Sequence, residues 1–83
     1  MNRIGIIAVI IEEHRESVGE VNRILSEYSG CIHARMGVPN KEKDIYVISL
    51  VVEVTTEQLG AITGRLGKLK GVTVKSMMTN KTY

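Results

Sequence analysis

Cys31, His33 and Arg35 recur at every second residue, the spacing at which a strand sends side chains to one face. Two kinds of chemistry are open to a thiol, an imidazole and a guanidinium placed this way. Cys31 and His33 could ligate a soft metal, and His14 is the one further imidazole in the chain. Alternatively, His33 and Arg35 could fix a small anion, because the planar fork of an arginine suits carboxylate or phosphate. Gly37 removes bulk beside Arg35, Pro39 opens a turn, and Ser49 offers a hydroxyl from the following strand. The anion reading needs only one cation and one imidazole, whereas a metal needs more ligands than converge here. The expected effector site is therefore Arg35, His33, Gly37 and Ser49, with no resident cofactor. The competing structural reading is a small buried Cys31 beside a hydrogen-bonded His33, and an Arg35 paired with Glu53 or with an acid of a neighbouring subunit. Beyond Cys31 and His33 no nucleophile–base pair is visible, and no two carboxylates are poised together, so no enzyme is expected.

The elements that must position these residues follow from periodicity. Ile4 to Ile11 is apolar on both alternating faces, as a central strand covered on both sides would be. Ser17-x-x-Glu20 reads as a capping box, followed by Val18, Val21, Leu25 and Tyr28 along one helical stripe. Gly30 is expected to close that helix. Cys31 to Val38 alternates as a half-buried strand, with Cys31, His33, Arg35 and Gly37 on its open face. Asp44 to Val54 is a second long strand. Thr55-x-x-Gln58 is another capping box, and Leu59, Ile62, Leu66 and Leu69 repeat the helical stripe. Gly60, Gly64 and Gly67 interrupt that second helix. Each costs roughly 0.5–1 kcal/mol relative to alanine, which predicts a side where another backbone comes close. Gly71 caps the helix, and Val72 to Thr79 is the last strand.

The order β-α-β-β-α-β with right-handed crossovers predicts one α+β domain over residues 1–83: a ferredoxin-like, four-stranded antiparallel sheet with two helices on one face. The first and third strands are central. The other face would leave Ile45, Val47, Val51 and half of the first strand open to water. A contiguous patch of that kind marks an interface, here assigned to Ile45, Val47, Val51, Ile7 and Val9 and to self-association as a homodimer or homotetramer.

Composition narrows the function classes. Eighty-three residues make a core that is marginal alone. One cysteine excludes an internal disulfide and a paired-cysteine zinc site. Residues 65–83 hold five of the eleven Lys and Arg and none of the nine acids. No aromatic residue interleaves them before Tyr83, so base stacking has no platform. An RNA-recognition motif would need aromatics on the central strands, where only Tyr46 occurs. The apolar stretch after Arg3 ends in Glu12-Glu13 and is too short to span a bilayer. A cytoplasmic protein without membrane contact is expected.

Three stretches point to a family. Arg35-x-Gly37-x-Pro39, the long third strand, and the run from Gly64 to Lys75, GRLGKLKGVTVK, resemble the small stand-alone proposed regulators of iron-only hydrogenase systems. The resemblance covers nearly the whole chain and implies an ACT-like fold, no catalysis, and a small effector or a partner protein bound at a subunit interface. That family is also similar to the C-terminal domain of the nickel-responsive repressor, a tetramer. The positions that would match its nickel ligands are Gly37, Pro39 and Ile45, which cannot ligate through side chains. The sequence shows no ribbon-helix-helix reader, so no autonomous DNA binding is expected.

Overall fold

The computed structural model describes residues 2–13 and 16–82. The elements are β1 (Arg3–Glu12), α1 (Ser17–Glu27), a single 3-10 turn (Ser29–Cys31), β2 (Ile32–Asn40), β3 (Ile45–Val54), α2 (Thr56–Gly67) and β4 (Val72–Thr82). The strands form one antiparallel sheet in the order β2-β3-β1-β4. The expected ferredoxin-like arrangement is present, with β1 and β3 central.

Both helices cover the same side of the sheet. Beneath them lie Ile7, Val9 and Ile11 of β1 and Ile48, Leu50, Val52 and Val54 of β3, joined by Val21, Ile24 and Leu25 of α1 and Ile62 and Leu66 of α2. Ile7 and Val9 are fully buried there. They belong to the core of the monomer, and the half of β1 that faces away from the helices is Ile4, Ile6, Ala8 and Ile10 by alternation.

The two helix starts differ. Thr55 accepts from the Gln58 amide at 3.1 Å while the Gln58 side chain accepts from the Thr55 amide at 2.9 Å, so the second capping box is formed. The first is not. Glu16 is the N-cap and makes no side-chain cap bond. Ser17 is one residue inside the helix and buried, and its hydroxyl donates to the Lys70 carbonyl at 2.8 Å. A tertiary acceptor has taken the hydroxyl from local capping. Gly30 lies in the 3-10 turn rather than at a cap. Gly71 has φ 71°, a left-handed backbone that suits glycine, and its carbonyl accepts from the Glu12 amide at 2.7 Å.

Among the described residues, the glycines of α2 serve no close approach. A side chain built at Gly60, Gly64 or Gly67 meets nothing within 4 Å.

Candidate functional site

One extra residue in β2 decides which side chains reach which face. Ile32 pairs with Val52, yet Ala34 already pairs with Val51, so His33 is the extra residue of a bulge. Because side-chain direction alternates with period two, one inserted residue exchanges the faces of all that follows. Arg35 is paired with Leu50 and Gly37 with Ile48, both on the helix side. Ala34, Met36 and Val38 are paired with Val51, Ser49 and Val47, on the uncovered side. Unbroken alternation from Cys31 predicts the opposite, and the bulge is the physical reason for the difference.

The predicted site residues are therefore divided. Ser49 sits on the uncovered face, between Met36 and Ala8. Arg35 turns to the helix side, where its Nη2 donates to Asn22 Oδ1 on α1 at 2.9 Å. Glu53 is engaged by His33 instead, with 3.0 Å between Nε2 and Oε1. The Arg35–Glu53 pair of the competing structural reading is not formed.

Arg35 and His33 still border one groove, since an edge strand lets side chains from both faces reach its rim. The groove is shallow and open, of about 370 Å³, and is lined by Leu25, Ser26, Ser29, Ile32, His33, Ala34 and Arg35. Ser26 Oγ donates to the Asn22 carbonyl at 2.9 Å and His33 Nε2 is engaged by Glu53, so the Arg35 guanidinium and the Ser29 hydroxyl are the donors this rim offers an oxyanion. The serines come from the end of α1 and the 3-10 turn, and sequence spacing alone does not bring them to β2.

A second concavity has a different character. Each helix spans about 16–18 Å while strands of ten residues run about 33 Å, so the helices leave one end of their own side uncovered. There Ile11, Val18, Pro39, Ile45 and Tyr46 wall a cavity of about 300 Å³, with Glu13, Lys41 and Asp44 at its border. Glu13 and Asp44 are the two non-glycine residues with positive φ among those described, at 60° and 53°. They meet through the Glu13 amide and the Asp44 carbonyl at 3.4 Å.

Gly37 shapes this end through its neighbour Tyr46. An added Cβ there would strike the hydroxyl, Cζ and Cε1 of Tyr46. The glycine leaves room for the tyrosine ring, not for Arg35.

Cys31 is a free, half-buried thiol packed against the core. Among the described residues no three His, Cys, Asp or Glu side chains come together around one point. His14 lies outside the described residues.

The basic C-terminal segment is dispersed. Arg65 pairs with Glu27 through two bonds of 3.0 and 2.9 Å and stands 5.8 Å from the centre of the Tyr28 ring. Glu27 also holds Arg23 at 3.1 Å, and Arg23 holds Glu20 at 2.8 Å. Hydrogen bonding to Arg65 draws the Glu27 carboxyl below its ordinary range, and Arg23 does the same for Glu20. Lys75 points instead to the uncovered face, paired with Ala8 across the strands. Among the described residues no helix is long and apolar enough to cross a membrane.

Comparison with known proteins bears on this geometry. Residues 3–76 match the model of the TM1266-like family, described as a proposed iron-only hydrogenase system regulator. Among solved structures, the chain is similar to the uncharacterized protein TM1266 from Thermotoga maritima, with a TM-score of 0.92 and 30% identity over 96% of this chain and 100% of that one. It is also similar to the ACT domain from GTP pyrophosphokinase of Chlorobium tepidum, with a TM-score of 0.77 and 20% identity over 93% of this chain and 100% of that one. A formyltetrahydrofolate deformylase from Pseudomonas putida shares the fold at a TM-score of 0.65 and 13% identity, over 94% of this chain and 29% of that one. The search of curated proteins finds no match.

Proposed function

We propose a regulatory role from one premise: the chain belongs to the TM1266-like family of proposed iron-only hydrogenase system regulators. The protein acts without catalysis, as a cytoplasmic homodimer or homotetramer. It passes the binding of a small anionic effector, or of a partner protein, to a hydrogenase system. It reads no DNA on its own and has no membrane partner.

The observation that supports this best is the groove at the edge of β2. Arg35 supplies a fixed cation and Ser29 a hydroxyl donor, while the His33 imidazole and the Ser26 hydroxyl at the same rim are held by Glu53 and by the Asn22 carbonyl. Gly37 and Ser49 drop out as contacts, because one makes room for Tyr46 and the other faces away. Arg35 spends a donor on Asn22 and is exposed, which leaves further donors of its five for an incoming anion.

The cavity beside Tyr46 supports a second reading, an effector with an apolar body. Its walls are aliphatic and aromatic, and its volume lies at the lower limit of ligand sites, ~300 Å³.

Titration with inorganic phosphate and with acetate, followed by backbone amide shifts, separates the two. Shifts centred on Ser26, Ser29, His33 and Arg35 support the anionic effector. An apolar compound retained in native mass spectrometry, with shifts around Ile11 and Tyr46 and none from either anion, replaces it with the second reading.

A further inference from the structure

We infer that the uncovered face of the sheet is the surface on which a second copy of this chain docks, face to face. The inference rests on the self-association proposed above and assigns the surface that makes it. Three adjoining rungs of the sheet carry the argument. They are Ala34–Val51–Ile6–Met77, Met36–Ser49–Ala8–Lys75 and Val38–Val47–Ile10–Thr73. Lys75 is the only charged residue among these twelve, and it stands on the edge strand β4. His33 and Glu53 lie toward one end of the face, beyond the rung of Val51. An apolar centre with charge confined to its rim is the anatomy of an interface.

The bulge at His33 makes the pattern deliberate. Without it, Arg35 and Gly37 would occupy the uncovered face, and Met36 and Val38 would turn toward the helices. With it, Met36 is 63% exposed and Val38 49%, while Met77 on the opposite edge is 61% exposed. The chain thus extends its apolar surface across the edge strand and leaves it in water, at a cost that only a cover removes.

The size fits one occupant. Strands of about ten residues in a four-stranded sheet present roughly 600–750 Å², in keeping with molecular extents of 40 and 19 Å. A standard interface takes about 800 Å² from each partner. A second copy supplies a face of the same area, the same low charge and the same twist, and two such sheets pack about 10 Å apart. A single helix of another protein would cover only a stripe of it.

The test uses the full chain carrying Met36→Lys and Met77→Lys together. Both residues are already exposed, so the folded subunit tolerates the change and only an assembly is disturbed. The wild type should scatter light as a multiple of 9.2 kDa, and the double variant should fall to half that mass or less with unchanged circular dichroism. Ser49→Cys in a Cys31→Ser background should give a covalent dimer with a short bis-maleimide, whereas Gly64→Cys on α2 should not. A double variant that keeps the wild-type mass, or cross-linking from Gly64→Cys alone, overturns the assignment of this face and leaves self-association standing. A wild type of 9.2 kDa at micromolar concentration overturns both, and gives the face to another protein.

Discussion

The Tyr46 ring lies across the backbone of Gly37, in the volume that a side chain at residue 37 would need. An added Cβ would come within 2.9 Å of Cζ and 3.0 Å of Cε1, and closer still to the hydroxyl. The two residues are paired with Pro39 and Ile48 on the adjoining strands and share the helix side. The tyrosine therefore roofs the edge strand where the helices stop.

Gly37→Ala should expel the ring or bend the strand. Overpacking of this kind costs about 1–3 kcal/mol, and for a domain of this size each kcal/mol lowers Tm by roughly 4–8 °C. A thermal melt reads the loss. Adding Tyr46→Leu should recover part of it, because the shorter side chain no longer reaches residue 37. If the double variant melts as low as the sum of the single changes, the two residues do not contend for one space.

Much of this fold is legible in the residues themselves. The two helical stripes, the two-faced apolar strands and the Thr55–Gln58 box are local patterns, and local physics forms them. Ile24 escapes the stripe through Val18, Val21, Leu25 and Tyr28, although it lies three residues from Val21 on the same buried side. The candidate site was less legible because it depends on one residue of strand register. Nothing in Cys31-Ile32-His33-Ala34 marks a bulge, yet the bulge exchanges Arg35 with Met36 between faces. Ser17 is a similar case. Its spacing from Glu20 matches a capping box, but the Lys70 carbonyl that claims its hydroxyl is 53 residues away.

The working capping box gives a direct test of helix energetics. Thr55→Ala removes the acceptor for the Gln58 amide and leaves the return bond from Gln58 without its counterpart. N-cap losses of this type cost about 0.5–2 kcal/mol. Urea unfolding should show a lower midpoint with an unchanged slope. Ser17→Ala, by contrast, leaves the Lys70 carbonyl without its hydroxyl donor in a partly buried setting and should cost about 1–3 kcal/mol. A loss of helicity from Ser17→Ala in a peptide spanning α1 alone, where the Lys70 carbonyl is missing, would mean that Ser17 caps after all.

Acid should weaken the helix surface with a defined sign. Glu27 and Glu20 are held below their ordinary value of 4.5 by hydrogen bonds to Arg65 and Arg23. A depressed carboxyl stabilises the fold fully above its unfolded value, and that stabilisation is lost as pH falls through the folded value. Tm should therefore be level from neutral pH down to about 5 and decline below about 4.5. Both carboxyls are exposed, so salt should flatten the decline. Glu27→Gln should remove part of the acid-dependent loss and lower Tm at neutral pH. A Tm that rises on acidification from pH 5 would contradict the pairing.

Arg35 separates the effector reading from a structural one. The side chain turns to the helix side, is exposed, and makes one side-chain bond, to Asn22. Replacing it with alanine removes a surface hydrogen bond of the charged kind. In water-exposed positions such contacts contribute about 0–1 kcal/mol, so the melt should change little. The apolar face that carries Met36, Val47 and Val51 lies on the opposite side of the sheet, so the proposed oligomer should keep its mass by light scattering. Phosphate binding, however, should be lost, since Arg35 is the one guanidinium among the residues lining the groove and His33 is engaged by Glu53. Asn22→Ala gives the opposing control. It frees the guanidinium from its present partner, and phosphate should bind as well or more tightly. If Arg35→Ala dissociates the oligomer while Asn22→Ala leaves phosphate affinity at zero, Arg35 is a subunit contact and the effector lies elsewhere, with the cavity beside Tyr46 as the remaining concave site.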